Sequence, residues 1–161
     1  MTSYHPAAIW PPIWSEIGRA LSERWYVDSS VVLRIVKAGS PAARSWFEAA
    51  LVAGDVFVAS RLMKAEVLRV LTNNGVDLAG ASDLIARFVL LSLDDNLVDE
   101  AISLGVSLGA ADALHIASAL RVGAAAITVV THDAQMAAGA EALGFAVIDP
   151  VTDDPLRPPV V

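Results

Sequence analysis

Five short runs rich in β-branched and aromatic residues recur along this chain, and segments with helical spacing separate them. The runs are Trp25-Tyr26-Val27, Val56-Phe57-Val58-Ala59, Phe88 to Leu93, Ala126-Ile127-Thr128-Val129-Val130 and Phe145 to Ile148. Apolar strands of this kind need cover on both faces, and strands joined through helices pair in parallel. The alternation predicts an α/β domain, a three-layer α/β/α sandwich around a mainly parallel sheet of about five strands. Ligands in such sheets bind beyond the carboxyl ends of the strands. Residues that follow a strand are therefore the first candidates for chemistry.

The intervening segments carry start and stop signals. Ser29 or Ser30 can cap a helix running to about Lys37, which Gly39 stops, and Pro41 suits the first turn of a second helix through roughly Val52. Ser60 caps a helix to about Thr72, closed by Asn73-Asn74-Gly75. Further helices are expected from Leu78, from the cap Asp94 to about Leu104, from Ala111 to Arg121 after a break at Gly105 to Gly109, and from Ala134 to Leu143. Ahead of the first strand, Pro6, Pro11 and Pro12 mark a loop, and Trp14, Ile17 and Leu21 recur at helical spacing. The expected organisation is an extension over residues 1–24, a core domain over 25–149 and a tail over 150–161 marked by Pro150, Pro155, Pro158 and Pro159.

With 161 residues, 55% of them hydrophobic and 18% charged, the chain is long enough for one well-filled core with apolar helix faces to spare for a dimer. It has no cysteine, which excludes disulfides and thiolate zinc sites and is compatible with a reducing cytoplasm. No apolar run reaches the ~18 residues of a membrane helix, so no membrane association is expected. The net charge of −7 is unevenly spread. Residues 28–75 carry Arg34, Lys37, Arg44, Arg61, Lys64 and Arg69 against Asp28, Glu48, Asp55 and Glu66, a balance of +2. Residues 76–161 carry three basic and twelve acidic side chains. Local potential, not the sum, steers a polyanion, so the acidic total leaves nucleic acid open as a ligand.

Four carboxylates stand out by position. Asp28 ends a strand before two serines, Glu66 lies too deep in its helix to cap it, Asp112 begins the helix that also carries His115, and Asp133 follows Val130-Thr131-His132 at a helix start. Each has a plain alternative: Asp28 and Asp133 as helix caps, Glu66 as a surface partner of Arg69, Asp112 as a complement to a helix dipole. Brought together they would need a cation, because two like charges ~4 Å apart repel by ~4 kcal/mol at an effective dielectric near 20. All-oxygen donors favour a hard divalent ion. His115 is three residues after Asp112, along one edge of the stripe Ala113, Ile116, Ala117 and Leu120. Strand parity puts Thr131 and Asp133 on one side and His132 on the other.

The segments Tyr26-Val27-Asp28-Ser29-Ser30, Ala65-Glu66-Val67-Leu68, Asp112-Ala113-Leu114-His115-Ile116-Ala117 and Val130-Thr131-His132-Asp133 resemble the four acidic motifs of PIN domains. Within that superfamily they look most like the VapC toxins of type II toxin–antitoxin modules. The resemblance covers roughly residues 25–149, and Asp-Ala-Leu-His-Ile-Ala with a downstream Thr-x-Asp is its most distinctive part. It departs from the family pattern in the length of chain before the first strand and in His132, where an apolar or aromatic residue is common.

The resemblance implies a PIN-like fold and a cytoplasmic endoribonuclease dependent on Mg²⁺ or Mn²⁺. It further implies a homodimer with an RNA substrate, inhibited by a VapB-type antitoxin. By the same resemblance Asp28, Glu66, Asp112 and Asp133 form the catalytic metal site. Ser30 and Thr131 support ligands or waters, and His115 stands behind them. A non-cleaving PIN-like module that binds RNA or protein is the alternative. A haloacid-dehalogenase phosphatase would need a second Asp where Ser30 stands, and a receiver domain would need an acidic pair at the first strand.

Overall fold

The structure, a computed structural model, describes residues 22–154. The helix expected around Trp14 to Leu21 and the end of the proline-rich tail lie outside the described residues. The order of elements is β1 (Arg24–Val27), α1 (Ser29–Val36), α2 (Pro41–Ala53), β2 (Val56–Ser60), α3 (Arg61–Asn73), α4 (Ala79–Ile85), β3 (Phe88–Leu91), α5 (Asp95–Ile102), α6 (Ala110–Val122), β4 (Thr128–Val130), α7 (Ala134–Ala142) and β5 (Ala146–Ile148). All strands pair in parallel in the order β3-β2-β1-β4-β5. The expected α/β/α sandwich around a five-stranded sheet is thus the observed one, with every strand parallel.

Side-chain parity along the strands divides the core into two layers. Val27, Phe57, Ala59, Phe88 and Val130 face α1 to α4, where Val31, Ile35, Phe47, Met63 and Leu71 close over them. Tyr26, Val58 and Val129 face the other way, onto Ile116 and Ala119 of α6 and Met136 and Ala140 of α7. Helix α5 lies outside α6, joined to it through Leu97, Ala101 and Ala117. In the first layer Phe47 and Phe57 meet at 4.5 Å between ring centroids, and Phe47 stacks on Phe88 at 6.0 Å. Burying each such ring is worth roughly 1.5–3 kcal/mol by transfer of apolar area.

Local chemistry sets the element ends. Ser40 accepts a hydrogen bond from the Ala43 amide to start α2, and Gly54, at φ 81°, takes the left-handed turn that ends it. Asp28, rather than Ser29 or Ser30, caps α1, its carboxylate accepting from both serine amides. A shorter side chain one residue further on would already lie inside the helix. Strand β4 begins at Thr128, later than the β-rich run suggests, because the Ala126 amide is held by the Gly123 carbonyl in a turn.

This strand order has one reversal that matters. From β1 the chain moves outward to β2 and β3, then returns to lay β4 on the other side of β1. The carboxyl ends of β1 and β4 flank that reversal, where a crevice opens in doubly wound sheets. Asp28 directly follows β1, and Thr131, His132 and Asp133 follow β4.

Candidate active site

Strand β1 delivers Asp28 into this crevice with only 5% of its surface exposed. A buried carboxylate has to be met by donors, and five converge here. Oδ1 accepts from the Ser29 amide at 2.7 Å and the Ser29 hydroxyl at 3.3 Å. Oδ2 accepts from the Ser30 hydroxyl at 2.7 Å, the Ser30 amide at 3.4 Å and the Thr131 hydroxyl at 3.0 Å. Thr131 Oγ1 also accepts from the Asp133 amide at 3.1 Å, while the His132 amide donates to Ser30 Oγ at 2.9 Å. Ser30 and Thr131 thereby tie the ends of β1 and β4 together through one carboxylate.

Helix α3 brings Glu66 to the same place, and α6 brings His115, which is 1% exposed. His115 Nε2 is 2.9 Å from Glu66 Oε2 and 3.7 Å from Asp28 Oδ1. Burial pushes the Glu66 carboxyl upward. The hydrogen bond and charge of His115, with help from Ser29, outweigh it and hold Glu66 below the ordinary carboxylate range. An ionised Glu66 has no proton to give, so Nε2 carries the hydrogen of this bond. On the far side of the ring, Nδ1 lies 3.1 Å from the Tyr26 hydroxyl and 3.2 Å from the Ser60 hydroxyl. Burial pulls His115 down, but Glu66, Asp28 and Asp112 together raise its pKa above the usual imidazole value. The imidazole bridges Glu66 on one side and the Tyr26 and Ser60 hydroxyls on the other.

Asp112 stands in the first turn of α6, three residues after Gly109, which precedes the helix. Its pKa is raised to about 6, first by partial burial and then by the charges of Asp133, Asp28 and Glu66, against a smaller lowering by His115. That pattern puts Asp112 within electrostatic reach of Asp133, Asp28 and Glu66. Asp133 is exposed and caps α7, accepting from the Met136 amide at 2.8 Å. Capping and membership of the cluster are thus compatible roles for Asp28 and Asp133.

Among the described residues, Asp28, Glu66 and His115 place one donor atom each within 4.8 Å of one another. Asp112 and Asp133 stand outside that tight group and act on it through charge. The Asp28 and Glu66 oxygens are the hard donors a divalent cation takes, the chain has no thiolate to compete, and His115 Nε2 is engaged by Glu66. His132 turns away, its Nδ1 2.9 Å from Asp149 Oδ2, as strand parity implies. Tyr26, Ser29 and Ser60 are participants that the sequence reading did not single out for the site. The signal for Tyr26 was present: it has the same parity as Asp28, and a buried tyrosine hydroxyl requires a partner.

Comparison with known proteins adds four findings. The family model described as PIN domain matches residues 25–142. A protein named ribonuclease VapC46, from Mycobacterium tuberculosis, is 33% identical over 129 residues, covering 78% of this chain and 96% of that protein. Among solved structures, VapBC2 from Rickettsia felis, bound to a promoter DNA fragment, aligns over 78% of this chain and 98% of the matched chain, with a TM-score of 0.60 and 12% identity. FitAB bound to an IR36 DNA fragment aligns over 78% of this chain and 94% of its own, with a TM-score of 0.54 and 19% identity.

Proposed function

Because this chain belongs to the PIN domain family, we propose that it is a metal-dependent endoribonuclease and the toxin of a type II toxin–antitoxin module. The observation that carries the reading is the convergence of Asp28, Glu66 and His115 at the carboxyl end of β1, with Asp112 in electrostatic reach of Asp28, Glu66 and Asp133. The name of the mycobacterial relative supports the reaction class. Asp28, Glu66, Asp112 and Asp133 would hold Mg²⁺ or Mn²⁺, directly or through water. When bound, the ion supplies Lewis-acid activation of water and neutralises charge on the phosphoryl oxygens.

The protein's own groups do the positioning. The Ser29, Ser30 and Thr131 hydroxyls fix the Asp28 carboxylate in one orientation. His115 occupies Glu66 Oε2, which leaves Oε1 to contact a water and accept its proton. Single-stranded or looped RNA is the substrate that exposes a phosphodiester to such a crevice. The family pattern adds a cytoplasmic setting, a VapB-type antitoxin and a homodimer, and the exposed Val98 and Ile102 of α5 suit a second copy. Within the chain, residues 25–149 would be the nuclease domain, residues 1–24 an extension and 150–161 a tail.

The test is cleavage of single-stranded RNA by Asp28→Asn and Asp112→Asn against the unaltered protein, with Mg²⁺, Mn²⁺ or EDTA. Cleavage is expected to vanish in both variants and in EDTA while circular dichroism stays unchanged. Undiminished cutting by both variants would overturn the assignment.

A further inference from the structure

Beside the carboxylates opens a groove of about 460 Å³, lined by Ser30, Leu33, Arg34, Lys37, His132 and Asp133 among others. One end of it is the catalytic crevice, since Ser30 holds Asp28 and Asp133 belongs to the acidic cluster. Its wall is cationic: Arg34 and Lys37 are three residues apart, on one face of the end of α1. We propose that this groove is the subsite for an RNA phosphate next to the one being cut, and that Asp154 holds its Arg34 guanidinium until RNA arrives. The proposal rests on the ribonuclease reading above and names the contacts that admit the substrate.

The chain itself supplies the stand-in anion. The Asp154 carboxylate lies 2.7 Å from Arg34 Nη2, as a phosphate oxygen would, with His132 Nε2 4.0 Å away. The preceding residue fastens the segment. Asp153 accepts from the Ser40 hydroxyl with one oxygen and from the Ala42 amide at 2.9 Å with the other, at the start of α2. Asp149 anchors the segment's near end on His132. The anchors therefore hold Asp154 at the groove without making its own pair strong. With side chains 37% and 32% exposed, the Arg34–Asp154 pair is screened and can be displaced. A polyanion gains by releasing counterions as it replaces a single carboxylate. Arg34 matters for another reason: Asp133 and the carboxylates beyond it stand on the catalytic side of the groove, so a strand approaching without Arg34 and Lys37 meets repulsion.

The experiment measures binding of a short fluorescein-labelled single-stranded RNA by anisotropy in EDTA over a salt series, and KM and kcat with Mn²⁺. Arg34→Gln is expected to weaken binding severalfold and to flatten the salt slope by about 0.7, one phosphate contact on a single strand. Lys37→Gln should act in the same direction. Asp154→Asn should tighten binding about two- to fivefold, the scale of an exposed ion pair, and lower KM with kcat unchanged. That gain should disappear in the Arg34→Gln background. The proposal fails if Arg34→Gln and Lys37→Gln both bind like the unaltered protein with the same slope. It fails equally if Asp154→Asn does not tighten binding, or tightens it just as much without Arg34. Should no metal support cleavage while these binding shifts appear, the ribonuclease reading falls and the anion subsite stands.

Discussion

Asp112 shows what a carboxylate cluster does to one of its members. Its folded-state pKa is about 6 against 3.8 for the free side chain, so the fold prefers it protonated. The stability this confers is fully present below pH 3.8 and is lost as pH rises through about 6. Asp112→Asn removes the loss. In EDTA at neutral pH the variant should be more stable than the parent by on the order of 1–2 kcal/mol, allowing for solvent screening of a partly exposed group. Thermal melts between acid and neutral pH check this. The two proteins should coincide at low pH and separate as it rises, and Mg²⁺ should raise the melting temperature of the parent more than that of the variant. Equal melting profiles across the whole range would contradict the cluster's mutual repulsion.

Helix α3 shows how an element's start reaches the site. Ser60 caps it by accepting from the Met63 amide, and the same hydroxyl lies 3.2 Å from His115 Nδ1. Ser60→Ala should cost about 1 kcal/mol as a lost cap, read by urea denaturation. It should also lower cleavage, because His115 then holds Glu66 with one fewer neighbour on its far side. Normal activity beside the lost stability would leave Ser60 a cap alone. The example also explains what could be read beforehand. Helix limits were legible to within a residue or two, since Ser40, Ser60, Asp94 and Asp133 act as caps through bonds to amides two or three residues on. The links from Tyr26 and Ser60 to His115 were not, because they span 89 and 55 residues and no local pattern records them. The four carboxylates fall between these cases. Their positions after strands were visible, but capping and site roles use the same side chain, so neither could exclude the other.

Across the whole molecule the two core layers share one sheet, and Phe57 is central to the layer beneath α1 to α4. It is 2% exposed and meets Trp46, Phe47 and Phe88. Phe57→Ala should destabilise the domain by about 3–5 kcal/mol through the cavity it leaves, a large part of the ~5–15 kcal/mol that holds a domain together. Urea unfolding with a falling midpoint and a constant slope would agree; a midpoint shift of a few tenths of the expected size would show that the aromatic cluster closes over the gap. The parallel architecture was legible because β-rich runs alternate with capped helices. The neighbour of each strand was not, since pairing depends on the whole chain.

That pairing has a consequence for a chain emerging from the ribosome. Asp28 is made early, yet its Thr131 partner follows 103 residues later, and the strands that frame the crevice become neighbours only when β4 inserts beside β1. Sheets closed by such distant contacts form late. A nascent chain stopped short of β4 has the first three carboxylates without the crevice that gathers them. On the ribonuclease reading, the strand order would leave the growing polypeptide without its crevice until β4 is made.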